Sequence, residues 1–213
     1  MNSPSDTYSQ ETDDAAEMVR TETIGYSLPT IAMDELIFVT PTPASFEGAP
    51  QFHEDEWRQI EFFPAARLEE LQGLLKQYKA FERGHRNANG WTEIYARQLP
   101  PVPVMPGRDA LNRLAEMFRA GLGNAPILLT TSQALGQVAD GFSLRPSSDV
   151  TLFGLADEHG IHVLSAIIDG DDRQLVQAFI TLHAAAHLLL VDWRGQMILH
   201  AVAEDGKLAV WRP

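Results

Sequence analysis

The chain has 213 residues, 45% of them hydrophobic, which is enough apolar material to bury a substantial core as one large domain or two small ones. Cysteine is absent, which excludes disulfides and thiolate metal sites and fits a reducing compartment. A net charge of −13 repels phosphate backbones and anionic membrane surfaces, so no nucleic acid and no membrane are expected, and a basic protein is the favoured partner.

The charge is unevenly spread. Twelve acids lie in the first 56 positions: Asp6, Glu11, Asp13, Asp14, Glu17, Glu22, Asp34, Glu35, Glu47, Glu54, Asp55 and Glu56. Arg20 is the one cation among them. Residues 57–128 carry ten cations against seven acids, and residues 129–213 carry five against ten. In the middle segment the signs alternate, as on a solvated helix face.

Residues 1–23 are polar and acidic without an apolar period, and predict a disordered acidic tail. Met1 to Asp6 has neither the basic nor the apolar region of a signal peptide, so a cytoplasmic location is expected. Asp34 to Thr40 reads as the first strand, closed by Pro41 and Pro43, and Glu56 to Phe63 as the second, closed by Pro64. Leu68, Leu71, Leu75 and Tyr78 recur at helical spacing, with Phe81 near the same face and Gly84 as the stop. After a turn at Asn87 to Gly90, Trp91 to Arg97 reads as a strand.

Four prolines within residues 100–106 predict a stiff connector between an N-terminal α+β lobe, 24–99, and a C-terminal one, 107–213. Arg108 to Leu122 predicts an amphipathic helix, and Pro126 to Thr131 a buried strand. Residues 150–156 and 161–168 flank Asp157 to Gly160 as a hairpin. A helix capped by Asp171 or Asp172 runs to about Ala186. Leu188 to Asp192, Met197 to Val202 and Leu208 to Arg212 form a meander, with Asp205-Gly206 as its second turn. The order lacks regular βαβ alternation and predicts an α+β fold: a largely antiparallel sheet with three main helices and a C-terminal β-meander.

His183 and His187 stand four apart on the last helix, a spacing that lets two imidazoles share a metal ion. Ala184 occupies the place of the glutamate that a metalloprotease needs, and Ile180 and Val176 continue the stripe as an apolar face. The pair reads as structural. His53 to Glu56 lacks the spaced acids and the glycine of a calcium loop, and Asp169 to Asp172 reads as helix capping. Ser132 and Ser165 have no indicated base, and no glycine-rich loop matches a phosphate-binding pattern. No cofactor and no catalysis are expected.

The acidic clusters lie beside aromatics, of which Trp57, next to Glu54, Asp55 and Glu56, is the best anchor for a partner. Asp34, Glu35, Glu54, Asp55, Glu56 and Trp57 are therefore the expected interface. Small, acidic, cysteine-free and without catalytic signatures, the chain resembles in general character the cytoplasmic immunity proteins that accompany secreted bacterial toxins. That resemblance implies neutralisation of a basic toxin and carries no functional residue with it, because no motif underlies it. The alternatives are a secretion chaperone or adaptor, which predicts an exposed apolar groove and dimerisation, and a metal-dependent hydrolase built on His183 and His187.

Overall fold

The computed structural model describes residues 26–100 and 102–213. The expected tail, 1–23, lies outside the described residues. The described residues begin with β1 (Thr30–Ala32), β2 (Phe38–Val39), a single helical turn α1 (Pro43–Phe46) and β3 (Gln51–His53). A 3-10 turn, Glu54–Glu56, leads into β4 (Ile60–Pro64) and the long helix α2 (Leu68–His85). Short strands follow: β5 (Arg86–Asn87), β6 (Gly90–Trp91), β7 (Tyr95–Arg97) and β8 (Met105–Pro106). Then come α3 (Ala110–Phe118), β9 (Leu122–Gly123), β10 (Ile127–Leu129), β11 (Ala134–Val138) and β12 (Gly141–Leu144). The hairpin β13 (Val150–Asp157) and β14 (Gly160–Ile168) precedes α4 (Asp172–Ala186) and the meander β15 (Leu188–Asp192), β16 (Met197–Val202) and β17 (Leu208–Trp211).

The fold is α+β. Nine strands form one antiparallel sheet in the order β17-β16-β15-β4-β14-β13-β12-β9, with β8 paired to the start of β14. Four more form a smaller sheet, β2-β11-β10-β3, in which β3 and β10 are parallel. The large sheet is covered on both faces, which is why its central strands read as unbroken apolar runs. Along β4, Phe62 faces Leu114, Phe179 and Leu182 of α3 and α4, and Phe63 faces Leu71, Leu75 and Tyr78 of α2. On β15, Leu188 and Leu190 go to the first layer, and Leu189 and Val191 to the second. At the β13 end the small sheet takes the place of α2, packing Phe52, Leu128 and Val138 with Trp57 against Phe153.

Several expected boundaries move. The strand expected at 34–40 contracts to Phe38–Val39, because Asp34 is drawn out of extended pairing by bonds to Trp57 and Arg58. The strand expected at 56–63 starts only at Ile60, because Arg58 takes a left-handed conformation (φ 55°) that no ladder accommodates. Gly84 does not stop α2, which continues to His85. The helix expected at 108–122 ends at Phe118, where Arg119 is left-handed (φ 51°). The strands β11, in the small sheet, and β12, in the large one, were unforeseen from the sequence. The proline-rich connector does not separate two lobes. β4, from the N-terminal side, lies between β15 and β14 in the large sheet, and Met105–Pro106 of the connector itself pairs with β14. No helix among the described residues is long and apolar enough to cross a membrane.

Candidate protein-binding groove

A buried cluster of two acids and two arginines fixes the segment that carries the expected interface. Arg58, only 8% exposed, donates from Nη1 to Asp34 and from Nε and Nη2 to Oε1 of Glu61, which is 1% exposed. The other Glu61 oxygen accepts from Trp193 Nε1 at 3.3 Å. Arg97 reaches the Thr30 hydroxyl at 3.0 Å and the Arg58 carbonyl at 2.8 Å, with its guanidinium 4.6 Å from the Trp193 ring centroid. Formal charges cancel within the group, which is what makes its burial tolerable.

Desolvation works to lower the Arg58 pKa, but the fields of Glu61 and Asp34 and their hydrogen bonds outweigh it and hold the pKa above its ordinary value. For Arg97, burial wins and pushes the pKa down to about 10, opposed by Glu61 and reinforced by Arg58. The cluster ties β1, the 57–61 turn, β7 and the β15–β16 turn together, so the loop 33–37 is pinned at Asp34.

Against this support lies a groove of about 510 Å³. Its apolar lining comes from Ile31, Ala32 and Leu36 on the pinned segment, Phe38 on β2, Leu128 on β10, and Ile94 and Trp57. Its polar lining is Asp34, Glu35, Glu54 and Asp55, and no Lys, Arg or His lines it. A second depression of about 570 Å³ lies across the Glu54–Glu56 turn and shares Asp55, with Glu56, Glu82, His53 and Arg194 around it.

The structure divides the expected interface residues. Glu35 and Glu54 are exposed, and Asp55 is half-buried. Asp55 Oδ2 lies 3.3 Å from His53 Nδ1, but that nitrogen accepts the Asp55 N–H at 3.2 Å. Asp34 is different: one carboxylate oxygen accepts from Trp57 Nε1 at 2.8 Å and the other from Arg58. Its charge is spent inside the molecule. Glu56 pairs with Arg194 at 2.9 Å.

Trp57 is corrected from exposed anchor to core residue. It is 5% exposed, with its ring centroid 5.3 Å from that of Phe153. Only the edge that reaches the groove is available to a ligand. The His183 and His187 pair does not share a helix face. His187 lies beyond α4 as its left-handed cap (φ 53°), and His183 Nδ1 is bonded to the Leu188 carbonyl at 2.9 Å. No group of three or more His, Cys, Asp or Glu is arranged to hold a metal ion among the described residues.

Sequence reasoning missed Arg58 as the clamp on Asp34, and Ile31, Leu36 and Phe38 as groove walls. A signal for the walls was present. Of the exposed large hydrophobic residues, Met33, Ile37, Phe38, Val39 and Phe46 all fall within fourteen positions, with Ile37 69% and Val39 47% exposed. An apolar run that a core strand would bury is instead at the surface beside carboxylates. No protein-family model matches the chain, and neither a curated protein nor a solved structure matches it.

Proposed function

We propose that the chain is a non-catalytic binding protein that docks a basic partner protein in the acidic groove, and that blocking such a partner, as an immunity protein blocks a secreted toxin, is its role. One observation carries this reading: Glu35 and Glu54, without ion-pair partners among the described residues, and Asp55, with His53 as its neighbour, stand around an apolar floor in a groove lined by no cation. A cationic side chain with an apolar stem meets both requirements, and a phosphate or carboxylate ligand meets neither. The expected setting is the cytoplasm.

A secretion chaperone or adaptor is the second reading, favoured by the exposed Met33, Ile37, Phe38 and Val39. Such a surface suits an apolar client segment.

The test is recovery of the bound protein from the native host and measurement of its association with the wild type and with the triple variant Glu35→Gln, Glu54→Gln, Asp55→Asn. The expected partner has an excess of Lys and Arg. The expected effect is a loss of roughly tenfold or more in association rate at low salt, with a shallower salt dependence. An acidic partner, or an unchanged rate, would reject the reading.

A further inference from the structure

We infer that the groove's ligand is an extended basic segment that pairs through its backbone with the open edge of β2, adding a fifth strand to the small sheet; this rests on the groove reading above. β2 ends the strand order β2-β11-β10-β3, and no strand pairs with its outer side among the described residues. Val138 lies opposite Phe38 and Gln137 opposite Val39, and the Ile37 carbonyl accepts from Ala139 N at 2.8 Å. Residues of an antiparallel ladder alternate between bonding the partner strand and pointing their N–H and C=O away from it. With Ile37 turned toward β11, Phe38 presents both backbone groups to the open side. Its ring also lines the groove, so one residue offers a ladder bond and a groove wall together.

Proteins protect free edges with lysine, proline, bulges or very short strands. β2 is short, at two residues, but among the described residues it carries no lysine, no proline and no bulge. The free edge of β17 is bracketed by Lys207 and Arg212, with Pro213 next. From Leu36 to Thr40 there is no charge and no proline, over about 17 Å of chain, until Pro41 ends any ladder. The charges that do flank this edge are carboxylates, Glu35 at its start and Glu54 and Asp55 across the groove. A second copy of this chain, at −13, is repelled by them; a strand with alternating cationic and apolar side chains is drawn in.

The probe is a terminally blocked octapeptide of alternating arginine and valine, with a second version N-methylated at every residue, so that no register keeps a ladder donor. Binding is measured by fluorescence anisotropy, and Phe38 amide exchange by NMR. The unmodified peptide is expected to bind, to weaken with salt and to slow exchange at Phe38, and the N-methylated one to bind roughly tenfold more weakly. Phe38→Pro removes the outward N–H without touching a bond to β11, and is expected to bind roughly tenfold more weakly than Phe38→Ala, which keeps it. If the two peptides bind alike and Phe38 exchange is unaltered, strand addition is overturned while the acidic groove stands. If neither peptide binds at low salt, strand addition and the groove reading both fail. The peptide comparison on unaltered protein decides the question even if Phe38→Pro does not fold.

Discussion

Asp34 is the residue on which the sequence and the structure differ most, and removing it is a direct measure of which is right. Asp34→Ala leaves two donors without an acceptor: Trp57 Nε1, now bonded at 2.8 Å, and Nη1 of Arg58. A buried donor stripped of its partner costs about 1–3 kcal/mol. Arg58 retains two bonds to Glu61, so its loss falls toward the lower figure, well short of the ~3–5 kcal/mol for breaking an isolated buried pair. The expected total is about 3 kcal/mol. Asp34→Asn keeps an acceptor for the indole and loses the charge, and about half of that loss is expected. Denaturant unfolding with a shared slope reads both values. Association with a basic ligand should barely change in the Asn variant, because Arg58 already cancels the Asp34 charge. A loss below ~0.5 kcal/mol for Asp34→Ala, in the range of ordinary surface substitutions, would refute the assignment.

Trp57→Ala is expected to cost about 3–5 kcal/mol, as for a large buried aromatic, through lost contact with Phe153 and the cavity left behind; unfolding curves like those of the wild type would return Trp57 to the interface. The Tyr78 hydroxyl is buried, and desolvation raises its pKa to about 12 from 10.0 against the opposing effect of the Gln196 side chain. The unfolded chain loses this proton first, so the stabilising contribution is complete below pH ~10 and is lost as pH rises through about 12, by about 3 kcal/mol. Tyrosinate absorbance should show Tyr78 titrating late together with that decline, with half-buried Tyr95 shifted in the same direction by desolvation; simultaneous titration of all tyrosines would contradict it.

What the sequence made legible was what local pattern controls. The spacing of Leu68, Leu71, Leu75 and Tyr78 is that of α2, and all but Leu68 are buried on it. Asp171 caps α4 by accepting the Arg173 N–H. Apolar runs bounded by turn residues placed the β13–β14 hairpin and the meander within a residue or two. Strands β11 and β12 escaped because their pattern is weak: Gly136 lies where a Cβ would meet Phe38 and Val39 of β2, and Gly141 where one would meet Ala125 and the Val138 carbonyl. Close backbone approach selects glycine there and erases the apolar alternation that signals a strand. The proline-rich segment misled for a related reason. Proline ends a ladder, yet β8 needs only two residues to pair with β14.

The candidate site was legible in composition and opaque in detail. Which of the five carboxylates of the expected interface keep their charge depends on Arg58, 24 residues from Asp34, and on Arg194, 138 residues from Glu56. Left-handed backbone at Arg58 turns its guanidinium back onto Asp34 and Glu61. No periodicity announces such a turn. Its cost of about 1–2 kcal/mol is one that the ion pairs and the buried indole bond can offset.

The two functional readings place the binding energy in different interactions, and salt separates them. If the groove works mainly through Glu35, Glu54 and Asp55, affinity falls as ions shorten the screening length from about 10 Å at 0.1 M to about 3 Å at 1 M. If the exposed run Met33, Ile37, Phe38 and Val39 supplies most of the energy, sulfate strengthens binding, because excluded salts favour apolar burial. A measurement with one ligand in sodium chloride and then in sodium sulfate therefore gives slopes of equal sign for a charge-led interface and opposite sign for an apolar one. The carboxylates surround the apolar floor and are partly exposed, so screening acts on them fully, and binding is expected to weaken in both salts at moderate strength. Tightening in sulfate from the lowest concentration upward would assign the surface to an apolar client and displace the basic partner from the leading role.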